Sequence, residues 1–160
     1  MSHVALVDVI IKDLGALEKV CPDLNLELIR DKQRYKWYGE WVNDYHKSDA
    51  AYLLGLDPKE YGKCDHVIKV PGTSYEIGLV PVSKLKNKDG SLKYPGQKGW
   101  KLVYDFYGPG REIKSKYGQK LEKIVQAYGV KAAQRWAMKQ GKTATKTVDK
   151  KTGIVNLVIQ

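Results

Sequence analysis

The segment 3–11, His-Val-Ala-Leu-Val-Asp-Val-Ile-Ile, constrains the fold of this chain more than any other part of the sequence. It is rich in β-branched residues, which favour strands, and Asp8 is its one charged residue. Successive side chains of a strand point to opposite faces, so an unbroken apolar run places apolar side chains on both faces. The segment therefore predicts a buried central strand rather than a half-exposed one.

A short helix is predicted directly after this strand. Asp13 can cap its first turn, and Leu14, Leu17 and Val20 follow at helical spacing. Pro22 has no backbone N–H to donate and predicts the end of the helix.

Four later segments are predicted as strands from their apolar content and alternation: 24–30, 65–70, 75–82 and 100–107. Between the second and third of these, Val70-Pro71-Gly72-Thr73 has Pro and Gly at the two central positions, which is typical of a type II turn. In the last segment, alternation predicts one face from Trp100 to Phe106 and the other from Lys101 to Tyr107.

The longest helical pattern runs from about residue 112 to about residue 140. Its apolar residues are predicted to form one stripe against the sheet: Tyr117, Leu121, Ile124, Val125, Tyr128, Ala132 and Trp136. Gly129 inside the pattern predicts a kink or a close contact between helix and sheet, and Gly141 is placed to end the helix. Two closing strands, 143–149 and 154–159, follow, with Gly153 at a positive φ in their turn.

The order β-α-β-β, more strands, then β-α-β-β predicts an α+β fold: an antiparallel or mixed sheet covered by two helices. We expect residues 1–160 to form one domain, with segment 3–11, segment 99–107 and the closing strand in one sheet. Segment 43–62, which includes a short helix over Ala50–Leu56 capped by Asp49, and segment 83–98 are predicted as insertions outside the main sheet. We expect 83–98 to be mobile, because it offers little apolar surface to bury.

The composition excludes several classes of protein. No apolar run approaches the roughly 18 residues of a membrane span, and the N-terminus lacks the pattern of a secretory leader. Cys21 and Cys64 are too few for a disulfide framework, which leaves two buried apolar cysteines as the simplest interpretation and one disulfide as the alternative. We therefore expect a cytoplasmic protein that does not associate with membranes, and no motif predicts a cofactor.

The positive charge of the chain is concentrated in its second half. Residues 1–80 hold 10 Lys and Arg against 13 Asp and Glu, whereas residues 81–160 hold 18 against 5. A concentrated positive charge attracts polyanions. The alternative is a basic surface that is merely solvated.

The candidate binding residues lie in three groups. The long helix and its start carry Arg111, Lys114, Lys116, Lys120, Lys123, Lys131, Arg135 and Lys139. A helical wheel predicts that Lys116, Lys120, Lys123 and Lys131 share an exposed face away from the apolar stripe, where they could follow phosphates or simply contact solvent. The second group lies in and beside the second insertion: Lys84, Lys86, Lys88, Lys93, Lys98 and Lys101.

The third group is the segment Arg34–Trp41, which continues the preceding strand or forms its hairpin partner. Here the aromatic residues Tyr35 and Trp37 alternate with the basic residues Arg34 and Lys36. Such rings can stack on unpaired nucleobases while the cations hold the nucleic-acid backbone. The alternative, which we favour, is that these rings pack under the inserted helix beside Tyr45 and Tyr52.

Metal binding and catalysis receive little support from the sequence. Cys64 and His66 are two residues apart and would share a face of a strand, but a zinc site needs three or four ligands, and His3 and His46 would have to be supplied by the fold. No P-loop, nucleophile elbow, dinucleotide turn or His-Glu-x-x-His motif occurs. Gly108-Pro109-Gly110-Arg111, where a strand meets a helix, could present N–H groups to an anion, although such a link is more often only a turn.

Five motifs, in this order, resemble one known family: Met1-Ser2-His3 with the strand and helix of 4–20, Val67-Ile68-Lys69, Tyr75-Glu76-Ile77-Gly78, 99–108, and 126–141 followed by 153–158. The family is the domain-of-unknown-function family 1257, which is related to a plastid hypothetical reading frame and has bacterial, plastid and phage members. The resemblance covers most of the chain except segments near 31–63 and 83–98. The chain departs from the family by Val4, where an aromatic residue is usual, and by the two insertions, where a specialised function could lie. The family implies an α+β fold and no agreed reaction, so no catalytic residue is transferred.

These observations favour a cytoplasmic, non-enzymatic binding module whose basic second half binds a polyanion, and nucleic acid is the partner we expect. The alternative is an adaptor or inhibitor that binds an acidic surface of another protein. A small enzyme is the third possibility, and the oligomeric state is left open.

Overall fold

The computed structural model describes residues 4–38 and 55–160. Its strands are β1 Val4–Ile11, β2 Glu27–Ile29, β3 His66–Lys69, β4 Glu76–Pro81, β5 Trp100–Asp105, β6 Ala144–Val148 and β7 Val155–Ile159. Its α-helices are α1 Leu14–Val20, α2 Gly110–Tyr117 and α3 Glu122–Lys139. The α+β fold class predicted from the sequence is confirmed. None of the helices in these two ranges combines the length and the apolarity that crossing a bilayer requires.

Five strands form one antiparallel sheet in the order β1-β5-β4-β3-β2. The predicted central position of the first strand is wrong, because β1 pairs with β5 alone among the described residues and lies at the edge. Its pairing with β5 is interrupted between Leu6 and Ile10, and Asp8 points to solvent within this irregularity. The apolar character of both faces of β1 reflects a sheet that is covered on each side, even at its edge.

The three helices cover the first face of the sheet. Ile68, Ile77 and Leu102 from the sheet are fully buried in the same cluster as Leu17 of α1 and Ile124 of α3. The alternation predicted for β5 is confirmed, since Leu102 and Tyr104 belong to this cluster and Val103 to a second one on the opposite face.

Irregular segments, rather than helices, cover the second face. Residues 33–38 lie along β3 and β4, where Tyr35 and Trp37 are almost completely buried with Leu56, Tyr61 and Val80. The Tyr35 ring occupies the space that a side chain at Gly78 would fill. Buried Glu76 fastens the segment by accepting the Lys36 N–H at 3.0 Å and the Lys32 ammonium at 2.9 Å. Of the first predicted insertion, segment 43–62, residues 43–54 lie outside the described residues.

Segment 83–98 contributes no strand to the five-stranded sheet, yet it buries one large apolar residue. Leu85 is fully buried, which corrects the expectation that this segment has little apolar surface. Lys101, which was grouped with the surface lysines, is also buried. Its ammonium donates to the Tyr94 hydroxyl at 2.5 Å and lies 3.8 Å from the Asp8 carboxylate.

The predicted long helix is two helices. Gly118 and Leu121 both have positive φ, and the Tyr104 hydroxyl donates to the Gln119 carbonyl in the break at 2.7 Å. A left-handed leucine costs about 1–2 kcal/mol, and the complete burial of Leu121 offsets that cost. No close contact exists at Gly129, where an added Cβ would meet open space, and α3 continues through this residue as one helix.

Trp136 is wrongly placed in the apolar stripe, because it is 53% exposed. At 3.6 residues per turn it lies about 120° around the helix from Ile124. The closing strands correct a second expectation: β6 and β7 pair with each other and do not join the main sheet.

Several local predictions are confirmed. Gly72, Gly141 and Gly153 have φ values of 86°, 70° and 71°, as their turn and helix-end positions require.

Segment 24–30 yields only a three-residue strand, because Asn25 adopts a left-handed conformation and closes a 3-10 turn before it.

Candidate nucleic-acid interface

An aromatic and basic surface lies where β5 ends and α2 begins. Asp105, the last residue of β5, is fully buried, and its carboxylate accepts the Tyr107 N–H at 3.0 Å and the Tyr38 N–H at 3.4 Å. The carboxylate therefore fixes the backbone that carries Phe106 and Tyr107.

Two cations of α2 lie over these two rings. The Arg111 guanidinium is 5.0 Å from the centre of the Tyr107 ring, and the Lys114 ammonium is 5.7 Å from the centre of the Phe106 ring. Both distances fall within cation–π range. Tyr107 is 45% exposed, Phe106 is half-buried, and both cations are exposed. We call these four residues the aromatic platform.

The Gly-Pro-Gly link makes this arrangement possible. Gly108 has a φ of 56°, and an added Cβ at Gly110 would collide with the Asp105 carbonyl oxygen. The Thr73 hydroxyl donates to the Pro109 carbonyl at 2.7 Å and so braces the link from the turn between β3 and β4.

The link does not form the anion cradle that its position suggested. The N–H groups of Gly110, Arg111 and Glu112 already donate to the carbonyls of residues 107, 108 and 109, at 3.0, 3.0 and 3.3 Å. With these three donors engaged, the cationic side chain of Arg111 is what this helix end offers to an anion.

The four lysines assigned to one helix face do not share one. Lys116 lies in the last turn of α2, Lys120 lies in the break, and Lys123 lies in the first turn of α3. These three are exposed, whereas Lys131 is half-buried, contrary to prediction. We call Lys116, Lys120 and Lys123 the basic ridge, because they continue the positive charge of the platform along the chain.

Arg135 has a structural role in this fold. Its guanidinium donates to the Asp13 carboxylate at 2.9 Å, and Asp13 also caps α1 by accepting the Ala16 N–H at 3.0 Å. Burial alone would raise the pKa of Asp13, but the Ala16 N–H and the Arg135 guanidinium together hold it below its ordinary value. Arg135 therefore ties α3 to the start of α1.

This tie predicts a pH-dependent coupling. Asn caps helices as well as Asp, so Asp13→Asn removes the charge and keeps the cap. In a double-mutant cycle with Arg135→Gln, we expect a coupling free energy of about 1 kcal/mol in urea unfolding at pH 7. A carboxyl group whose pKa is lower in the folded state than in the unfolded state stabilises the fold. This stabilisation is complete above the unfolded-state pKa of about 3.9 and is lost as the pH falls through the folded-state pKa. Coupling that does not decrease as the pH falls below the unfolded pKa of about 3.9 would contradict this role.

The segment 34–37 is divided between core and surface. Tyr35 and Trp37 are each 1% exposed, so the prediction that they stack on bases is wrong, and the alternative that they pack in the core is right in that respect. The rings fit because Gly78 and Gly62 leave room for them. Arg34 and Lys36 are exposed. In place of the predicted strand, the backbone of Arg34 forms an isolated antiparallel β-bridge with that of Lys63.

Arg34 and Lys84 meet in a cleft of about 290 Å³. Lys63, which sequence reasoning missed, completes a group of three cations there, although its ammonium lies 3.7 Å from Glu60. Val80 and Pro81 line the cleft at the end of β4 that pairs with the start of β5, whereas the platform follows the end of β5, so the cleft and the platform lie at opposite ends of these strands. Lys86 and Lys88 are exposed in the following turn and join neither group.

The cysteines and His66 do not form a metal site. Cys64 packs in the second cluster, whereas His66 contacts Trp100 on the other side of the sheet, so the predicted shared face is wrong. Cys64 lies before β3, so the alternation of side chains along that strand does not extend to it. Within residues 4–38 and 55–160, no three His, Cys, Asp or Glu residues gather as metal ligands, and His3 and His46 lie outside these ranges.

Both thiols are free and buried on opposite faces of the sheet, which excludes the disulfide alternative. Burial raises the pKa of Cys21 to about 11 and that of Cys64 to about 12. The two thiols are therefore protonated and unreactive near neutral pH.

The sequence indicates the platform through a short motif, not through the alternation of apolar residues along the strand. Alternation grouped Phe106 with Leu102 and Tyr104 on one face of the strand and Tyr107 with Val103 on the other, without assigning either ring a binding role. An aromatic pair followed by a strand-ending Gly-Pro-Gly, with Arg111 four residues after Tyr107, indicates rings that leave the sheet where a helix brings a cation over them.

Comparison of the chain with protein-family models, with curated protein sequences and with solved structures finds no match. The resemblance to the domain-of-unknown-function family 1257 therefore stays a prediction.

Proposed function

We propose that this chain is a non-enzymatic module that binds single-stranded nucleic acid at the aromatic platform. The supporting observation is the exposed Tyr107 ring with the Arg111 guanidinium above it, beside Phe106 and Lys114. Single-strand binding proteins combine aromatic rings, on which bases stack, with cations that hold the phosphates.

The charge around the platform supports this partner. α2 carries three cations and one acid, and the basic ridge continues the positive charge past its end. A strand of phosphates would gain from each neutralised charge through the release of counterions.

Exposed rings favour an unpaired strand over a duplex, because stacked base pairs keep their faces away from side chains. We also propose a reducing, cytoplasmic setting, which the two buried, free thiols support.

The test compares oligonucleotide binding by two aromatic variants. Tyr107→Leu removes the π-face and should weaken binding of an unstructured single strand about 5- to 150-fold, which corresponds to the roughly 1–3 kcal/mol of one stacked base. Tyr107→Phe keeps the face and should bind nearly as well. Fluorescence anisotropy with labelled DNA and RNA strands measures both.

Trp136→Leu is the matched control, since Trp136 is also exposed and has Arg135 and Lys139 near it in the sequence but lies outside the platform. It should leave the affinity unchanged. If Trp136→Leu weakens binding and Tyr107→Leu does not, the platform is not the binding site. Tighter binding to duplex than to single strands would contradict a stacking role.

A further inference from the structure

The C-terminal hairpin and the end of α3 carry exposed apolar side chains that the proposed function does not use. Six of the eight exposed large apolar side chains of the described residues lie between residues 136 and 159: Trp136, Met138, Val148, Ile154, Val158 and Ile159. Scattered apolar residues are ordinary on a surface, whereas such a concentration marks an interaction site.

The hairpin register divides its two faces. Residues directly opposite each other share a face, so Ala144 with Ile159 and Val148 with Val155 lie on the same side, together with Lys146 and Leu157. Val148 is 52% and Ile159 is 41% exposed. We call this side the apolar hairpin face.

The hairpin also leaves its edges open. Among the described residues β6 and β7 pair only with each other. A two-stranded sheet alone is marginally stable, and an unpaired edge is a template for another strand. An extended segment could therefore add to the edge and cover the apolar hairpin face with alternate side chains.

The charges identify the class of partner. Residues 139–160 carry five lysines and one acid, Asp149. The Asp149 carboxylate is already engaged, because it accepts the Lys151 N–H at 2.8 Å within its own turn. A second copy would place lysines against lysines, and nucleic acid would leave the aliphatic side chains uncovered.

We propose that the C-terminal hairpin binds an extended segment of an acidic partner protein, in which apolar residues and carboxylates take turns at every second position, so that both lie on the side of the apolar hairpin face. The apolar residues would cover Val148 and Ile159, and the carboxylates would pair with Lys146 and Lys150. This interaction is independent of the aromatic platform.

The probe is a short capped peptide in which valine and glutamate take turns at every second position, with threonine between them, compared with a matched peptide that has lysine in place of glutamate. In amide NMR spectra we expect the acidic peptide to shift resonances of residues 144–159, and the basic peptide to shift none. Val148→Thr with Ile159→Thr keeps strand propensity and should weaken binding at least about tenfold, which corresponds to about 1.4 kcal/mol.

Val158→Thr is the matched control, because Val158 is similarly exposed but lies on the other side of the hairpin. It should bind the acidic peptide normally. Changing Lys146, Lys150 and Lys151 to glutamate should reverse the preference in favour of the basic peptide. The threonine variants, which keep the charge of the chain, should bind single-stranded oligonucleotides as the native chain does, which separates this proposal from the platform.

Four outcomes would overturn the proposal. Equal binding of both peptides would show that charge does not select the partner, and binding of neither would remove the site. Self-association through Val148 and Ile159 in sedimentation equilibrium would make a second copy the occupant. Docking of the same face on phosphatidylserine vesicles, without peptide binding, would assign it to a membrane surface.

Discussion

Gly78→Ala is expected to lower the free energy of unfolding by about 3 kcal/mol or more. An added Cβ at Gly78 would overlap the Tyr35 ring, which is 1% exposed and held against the centre of β4. The ring cannot rotate away within a packed core, so residues 33–38 would have to lift from the second face of the sheet.

Gly129→Ala is the control and should raise the free energy of unfolding. Gly129 lies inside α3 with open space around it, and alanine is favoured over glycine there by about 1 kcal/mol. Urea unfolding of both variants measures the difference. Tyr35→Leu, made in the Gly78→Ala background, should reduce the penalty of the added methyl group. Equal stability of the two alanine variants would contradict the described packing of Tyr35.

Exchanging the three lysines of the basic ridge for glutamine is expected to weaken single-strand binding about 100-fold at 0.1 M salt. Each neutralised phosphate contributes a slope of about −0.7 to log affinity against log salt, so three lost contacts flatten the slope by about 2. Lys116, Lys120 and Lys123 are exposed, and glutamine has a similar helix propensity. Thermal stability should therefore change little.

The control removes the same charge elsewhere. Lys142, Lys150 and Lys151 are equally exposed but lie in or beside the C-terminal hairpin. Their exchange for glutamine should leave most of the affinity intact. An equal loss in both triple variants would mean that net charge, rather than the ridge, attracts the strand.

Local patterns predicted the strands of this fold well and the tertiary arrangement less well. The alternation in segment 100–107 placed Leu102 and Val103 on the correct faces, because each face of β5 meets a different core. The same reasoning could not locate β1 at the sheet edge, since burial on both faces does not depend on how many neighbours a strand has. The break at 118–121 was missed because it depends on a tertiary bond, from Tyr104 to Gln119.

The candidate site shows a similar division. Charge asymmetry located the basic half of the chain, yet Arg135 and Lys101 have structural partners that no local pattern reveals. Tyr35 and Trp37 resemble a stacking motif in sequence, but glycines distant in the chain open the space that buries them. The platform depends on the angle between β5 and α2. The Gly-Pro-Gly link sets this angle, but its sequence alone does not reveal it.

The salt dependence of single-strand binding, measured for the native chain and for Tyr107→Leu, tests whether the platform binds nucleic acid. We expect a linear fall of log affinity with log salt, with a slope of about −0.7 for each phosphate neutralised. Stacking is not an ion-exchange process, so Tyr107→Leu should lower the affinity at every salt concentration and keep the native slope. An absence of binding at low salt, or a native affinity that Tyr107→Leu does not change, would contradict the assignment of this surface to nucleic acid.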